Sequence, residues 1–232
     1  MIQYVKSLSK SPLFARISEK ELITMLTCLR AQIISAEKGK TILHQGDPAK
    51  QFGVLVSGSA NIIHVGETGN HIIIANVKPG ETFAETFACS EFDALPVSVV
   101  ANEACTVLML EHRRVVTGCQ NGCTMHSRLV TNLLKILAQK NLILNQKLQI
   151  VMQRTTREKL LLYLMTEHQK SESDRFAIPF DRQGLADYLG VERSAMSSEL
   201  SKLQKSGILR YCKNEFEFLY ETAQNETEKT EE

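Results

Sequence analysis

The sequence predicts an α+β protein in three parts: a β-rich N-terminal roll, one long helix, and a small C-terminal domain of winged helix-turn-helix type. Three observations predict it. Short Val- and Ile-rich runs punctuated by glycines fill residues 33–110, an unbroken helical pattern fills 124–152, and two short amphipathic helices joined by a glycine lie between Asp181 and Leu203. At 232 residues the chain exceeds the usual single domain, so a domain of about 120–150 residues plus a smaller one is the natural division. The boundaries drawn from these patterns are 1–123 for the roll, 124–152 for the long helix and 153–220 for the C-terminal domain. Residues 221–232 form a polar, acidic tail that has no apolar face and is expected to be disordered.

Residues 7–30 begin with Ser-Pro and continue through FARISEKELITMLTCLR, where Leu22, Met25, Leu26 and Leu29 recur at helical spacing. A helix therefore precedes the strands. VLVSGSANIIHV and NHIIIANV read as strands, with turns at Gly39, Gly46, Gly58, Gly66, Gly69 and Gly80. EKGKTILHQGDP is expected to supply turns in which glycine takes a positive φ. Strands of this length with regular turns predict a β-sandwich or roll.

In the long helix Val130, Leu133, Leu137, Asn141, Leu144, Leu148 and Val151 recur at intervals of three and four. Their mean spacing of about 3.5 is the coiled-coil period, so they read as a homodimer seam in which Asn141 fixes register. Leu134, Ile136 and Ile143 are then free to cover the roll. A helix packed on its own roll is the alternative reading of the same stripe. After a break near Arg154–Thr156, REKLLLYLMTEH predicts another helix, KSESDR a polar connection, and FAIPF leads into the helix pair.

That pair reads DRQGLADYLGVERSAMSSELSKL. Leu185 and Leu189 share one face of the first helix, Gly190 and Val191 form the turn, and Met196, Leu200 and Leu203 line the inner face of the second. Small Ala186 permits close approach, which is the pattern of a helix-turn-helix. Its outer face carries Arg193, Ser194, Ser197 and Ser198, with Arg182 and Lys202 alongside, and these are the candidate contacts to bases and phosphates of double-stranded DNA. A solvated helix edge is the competing reading for Arg182 and Lys202. The following KSGILRYCKNEFEFL predicts strands at Ile208–Tyr211 and Phe216–Leu219 around a turn at Lys213 and Asn214, which makes a wing.

Charge argues against a broad electrostatic grip on nucleic acid. The formal net charge is +1, and residues 154–220 carry 11 Lys and Arg against 10 Asp and Glu. Binding must then depend on local placement of basic groups. With no stretch of about 18 apolar residues and no signal-peptide pattern at MIQYVKSLSK, the chain is expected to be cytoplasmic and free of membrane. Six scattered cysteines, Cys28, Cys89, Cys105, Cys119, Cys123 and Cys212, read as reduced thiols.

The chain resembles the Crp/Fnr family of bacterial transcription regulators over nearly all of residues 7–220. The matching features are Gly39, Gly46 and Asp47 in EKGKTILHQGD, Gly58 in VLVSGSANI, Pro79-Gly80-Glu81 with Glu85 in KPGETFAETF, and the helix-turn-helix. The resemblance implies a cyclic-nucleotide-binding-type β-roll, a homodimer joined by the long helix, and recognition helices that read a near-palindromic promoter site. Their half-site centres would lie roughly 34–36 Å apart. RNA polymerase is a further partner the resemblance implies.

Departures from the family pattern bear on the signal. In cyclic-AMP-binding members a glutamate of the phosphate cassette accepts the ribose hydroxyl and an Arg-Ser pair ten residues later holds the phosphate. Counting from Glu85 places Leu95 and Pro96 there, and a leucine neither neutralises a phosphate nor donates bidentate hydrogen bonds. The adenine-reading hydroxyls align with Leu142 and Ile143. The implied effector pocket is thus Phe83, Ala84, Glu85, Thr86, Leu95, Pro96, Leu142 and Ile143, and it disfavours cyclic AMP. LPVSVVA, Leu95–Ala101, marks a subgroup of the family with undefined effectors. No N-terminal cysteine group precedes Cys28, which argues against an iron-sulfur cluster, whereas haem or thiol sensing stays open. Cys119-x-x-x-Cys123 followed by His126 is a candidate redox or metal group, weighed against buried small apolar cysteines. On the recognition helix Arg193 and Ser194 fit the family, but Ser198 replaces the usual second arginine and Glu199 stands where an apolar residue is usual, so the operator is expected to differ.

Two other functions fit parts of the sequence. A cupin-type metal enzyme could use His44, His64, His71 and His112 with Glu81 and Glu85, but no His-x-His pair supplies the tight metal face such a site needs. A ligand-binding module with a decayed helix-turn-helix is the other.

Overall fold

The computed structural model describes residues 2–66, 70–90, 92–117, 124–171 and 173–219. The tail after Leu219 and the pair Cys119 and Cys123 lie outside the described residues. Packing divides the chain within its longest helix, into Met1–Lys140 and Asn141–Glu232.

The first unit opens with α1 (Val5–Leu8) and α2 (Glu19–Cys28). Ser18 starts α2 with a capping box: its hydroxyl accepts the Glu21 amide, and the Glu21 carboxylate accepts the Ser18 amide at 2.8 Å. The expected apolar face of α2 is buried, with Leu22, Met25, Leu26 and Leu29 at most 1% exposed and packed against Phe14, Phe52 and Leu108. Next come β1 (Gln32–Ala36), β2 (Thr41–Leu43), β3 (Gln51–Ser57), β4 (Ala60–Val65), β5 (His71–Val77), β6 (Thr82–Phe83), α3 (Glu85–Cys89), β7 (Ser98–Ala101), β8 (Cys105–Glu111) and α4 (His112–Thr117). They form two antiparallel four-stranded sheets, ordered β1-β8-β3-β6 and β2-β7-β4-β5.

Between these sheets lies a second core of Leu55, Val77, Phe83, Leu95, Val99 and Val107. This is the predicted roll. Gly39 and Gly46 take positive φ as expected, while Thr41–Leu43, read from sequence only as part of a turn-bearing segment, also contributes β2. Gly53 has a different reason for being glycine: a β-carbon there would overlap the Phe83 ring, which lies over it from β6.

The long helix, α5 (Thr124–Val151), spans the predicted range, but its faces differ from expectation. Leu129 and Leu133 are buried in the core of the first unit, and Val130, Ile136 and Leu137 pack partly against it. Leu134 and Ile143, expected to cover the roll, are 62% and 52% exposed, whereas Ile136 does cover it. Leu133 of the expected seam is thus a core residue of its own roll. Leu144 and Leu148 are 67% and 53% exposed. The N-terminal part of the stripe packs on the core of the first unit, whereas Leu144 and Leu148 fall in the part of α5 that groups with the second.

The second unit joins the C-terminal part of α5 to α6 (Thr156–Ser171), β9 (Arg175–Ala177), α7 (Arg182–Leu189), α8 (Arg193–Lys205), β10 (Leu209–Cys212) and β11 (Glu215–Phe218). Its core gathers Ile150, Leu160, Leu164, Leu185, Met196 and Leu200. The wing is a three-stranded sheet in the order β10-β11-β9. The hairpin is legible in the sequence, whereas β9 is too short for alternation to register, though Phe176 at its centre stacks on Phe216 and Phe218. No helix of the described residues is long and apolar enough to cross a membrane.

Candidate functional site

The helix pair is built by local signals. Asp181 caps α7, its carboxylate accepting the Gly184 amide at 2.7 Å. Gly190 ends α7 at φ 64° and ψ 48°, the left-handed region where a β-carbon is disfavoured, and the Val191 amide reaches back to the Ala186 carbonyl at 3.1 Å. That turn redirects the chain into α8. Met196, Leu200 and Leu203 are fully buried, as are Leu185, Ala186 and Leu189 opposite them. With the inner face fixed, Arg193, Ser194 and Ser198 are exposed and Ser197 is half-buried. These four share the outward side of the first turns of α8.

Two other expected contacts are engaged within the chain. The Arg182 guanidinium lies 4.6 Å from the Tyr211 ring centre and 5.5 Å from that of Phe216, so it packs on the wing. Lys202 donates to Glu199 at 2.6 Å. Ser201, one turn beyond Ser197, and Lys213, at the wing turn with φ 52°, are exposed as well and were not among the expected contacts. The four-residue helical step pointed to the first; the turn signal KN pointed to the second.

On the roll, α3 begins at the expected cassette. Ala84 takes φ 62°, a left-handed conformation costing an L-residue roughly 1 kcal/mol, and presents Glu85 as the first residue of α3. Glu85 is 2% exposed. Lys140 of α5 meets it: the ammonium donates to Glu85 Oε1 at 2.5 Å and to the Thr82 carbonyl at 2.8 Å. Glu85 Oε2 is buried without a partner. The carboxylate expected to accept a ligand hydroxyl therefore holds a cation from its own chain. Phe83 and Leu95 are core residues, Pro96 is half-buried, and Thr86 is exposed. Leu95 ties its backbone to the Gly46–Asp47 turn through two 2.8 Å bonds. Leu142 and Ile143 are more than half exposed.

A cavity of about 620 Å³ opens beside this pair. None of the eight expected pocket residues lines it. Ile62, Ala75, Val77 and Ile136 form its apolar walls, and Arg16, Lys135, Lys140 and Glu81 supply charge. Asn132, Ile136 and Lys140, four residues apart on one helix face, were the sequence signal that could have found it. No histidine, cysteine or methionine lines it, so these residues do not fit a haem iron, which needs an axial ligand.

The remaining candidates are dispersed. His44, His64 and His71 are exposed and His112 is half-buried, and no group of three His, Cys, Asp or Glu among the described residues could hold a metal. His126 is buried with Nδ1 unpaired. Burial pushes the Cys89 and Cys105 thiols up, with Glu85 adding to the effect at Cys89, which keeps both in the unreactive protonated form.

Comparison with known proteins agrees with this geometry. Residues 33–121 match the cyclic nucleotide-binding domain family, and residues 158–220 match the Crp-like helix-turn-helix domain family. Among solved structures, the chain resembles the catabolite activator protein of Thermus thermophilus at 23% identity and a TM-score of 0.53, over 90% of this chain and 93% of that one. It also resembles the c-di-GMP responsive global regulator CLP of Xanthomonas campestris at 18% identity and a TM-score of 0.54, over 84% of this chain and 97% of that one. Comparison with curated protein sequences gives no match.

Proposed function

Because the chain belongs to the Crp/Fnr family of DNA-binding transcription regulators, we propose that it works as a homodimer whose two α8 helices read a near-palindromic promoter site in successive major grooves. The observation that carries this reading is the outward side of α8, where Arg193, Ser194 and Ser198 stand exposed on a helix locked from behind by three fully buried side chains. Arg193 is the base-reading residue, since its guanidinium can make a bidentate contact to guanine. Ser197 and Ser198 read neighbouring base edges, and Lys202, Arg182 and Lys213 serve phosphates. The second copy docks along α5 through exposed Leu144 and Leu148 and half-buried Val151, about Asn141.

Control comes from a small molecule other than cyclic AMP. Leu95 is a core residue that offers no charge to a cyclic phosphate, and Glu85 is already paired with Lys140. The effector acts by population shift, binding one dimer geometry better than the other, and RNA polymerase reads the outcome at the promoter. The test is footprinting of the purified protein on genomic DNA, followed by Arg193→Ala on the recovered site. A loss of about 1–3 kcal/mol on that site with little change on random DNA is expected. Equal loss on both would remove Arg193 as the base reader, and failure to protect any promoter in any ligand state would remove the regulatory reading.

A further inference from the structure

We propose that the cavity beside α5 takes a small carboxylate with an apolar body, held by Arg16 and Lys135 rather than by the phosphate cassette. In calling that ligand the effector, the proposal rests on the regulatory reading above. The assignment of the cavity itself does not.

The charges around the cavity set what it can hold. Lys140 uses its donors on Glu85 and Thr82, so the buried Glu85 charge is offset and presents little net field to an incoming anion. Glu81, the acid in the lining, accepts the Lys78 amide on Oε2 at 2.8 Å and keeps its negative charge, which Arg16 and Lys135 together outweigh. Among the described residues Arg16 and Lys135 have no ion pair. They are the two cations of the lining with charge to give.

Arg16 is also held in place by more than its own preference. Its φ of 61° is left-handed for a residue that carries a β-carbon. Three hydrogen bonds from α5 over-determine that turn: Asn132, 8% exposed, donates Nδ2 to the Leu13 and Ala15 carbonyls at 3.0 and 2.9 Å, and Arg128 donates to the Arg16 carbonyl at 3.1 Å. These bonds also occupy carbonyl oxygens that would otherwise repel an anion. Strain that the surroundings enforce beside a cavity is a mark of function.

Shape and polarity fix the rest of the ligand. The volume lies within the range of small-molecule sites, and the walls of Ile62, Ala75, Val77 and Ile136 ask for an apolar body. A carboxylate entering such a site keeps its charge only where cations pair with it, and a guanidinium does so with two parallel bonds.

The experiment titrates the full-length protein calorimetrically with phenylacetate, 4-phenylbutanoate and octanoate, each beside its matched alcohol and amine. Operator affinity is measured in the same samples. Acids binding about tenfold or more tighter than their alcohols, with amines weakest, is the expected order. In the Arg16→Gln/Lys135→Gln double variant that preference disappears, while alcohol binding and thermal melting stay as in the parent. Equal binding of acid and alcohol, no binding of any acid, or a preference that survives the double variant would each overturn the assignment. Acid preference without any operator binding keeps the cavity assignment and rejects only the regulatory reading.

Discussion

Glu85, Lys140 and Tyr163 carry the clearest single-residue energetics. Glu85 is 2% exposed and depends on Lys140 for its counter-charge, so Lys140→Met leaves a buried carboxylate unpaired. Loss of about 3 kcal/mol of stability is expected from denaturant unfolding, with most of it recovered in the Lys140→Met/Glu85→Gln double variant. Tyr163 presents the opposite case. Its hydroxyl is buried without a partner, and burial, with smaller contributions from Glu167 and Tyr188, pushes its ionisation well above the ordinary phenol range. A phenol whose folded pKa is raised gives stability that is whole below about pH 10 and is lost as pH rises further. Tyr163→Phe removes both the unsatisfied group and that alkaline loss. Stability at neutral pH is expected to hold or to rise by up to about 1 kcal/mol, and alkaline melting curves to flatten, Tyr188 leaving a smaller residue of the effect.

At the level of elements, α5 separates two roles that one stripe seemed to unite. Leu133 belongs to the roll and Leu148 stands exposed. Leu133→Ala should therefore destabilise the fold by about 2–5 kcal/mol with the oligomeric mass unchanged. Leu148→Glu should leave the melting of the roll near that of the parent and halve the sedimenting mass. Reversal of these two outcomes would place the dimer seam on the other face. The stripe itself was legible because 3.5-residue spacing is a property of the chain. Which end of it faces the roll was not, since that depends on where Phe14, Phe52 and Leu108 come to lie. The same limit hid β9: three residues carry no alternation, and Phe176 finds its partners on β11, some 40 residues away.

For the whole molecule, a net charge of +1 gives no broad electrostatic grip, so phosphate contacts are expected to be few and local. The dependence of operator affinity on salt should be correspondingly shallow. Lys213→Gln at the wing turn is expected to weaken all sequences alike and to reduce the slope of log affinity against log salt by about 0.9. A sequence-selective loss would make Lys213 a base contact instead. The helix-turn-helix was readable to within a residue or two because it is written in contiguous signals: the Asp181 cap, the Gly190 turn and the Met196, Leu200 and Leu203 face. The cavity was not, because Arg16, Ala75, Thr82 and Lys140 have no local relation to one another. By itself, then, the sequence determined the order of the parts, the recognition helix and its outward side chains, since caps, turns and helical periodicity act over a few residues. Tertiary structure alone decided which face of α5 is buried, that Lys140 answers Glu85 from 55 residues away, and where the cavity beside α5 opens. Those outcomes turn on distances between chain segments, which local spacing does not encode.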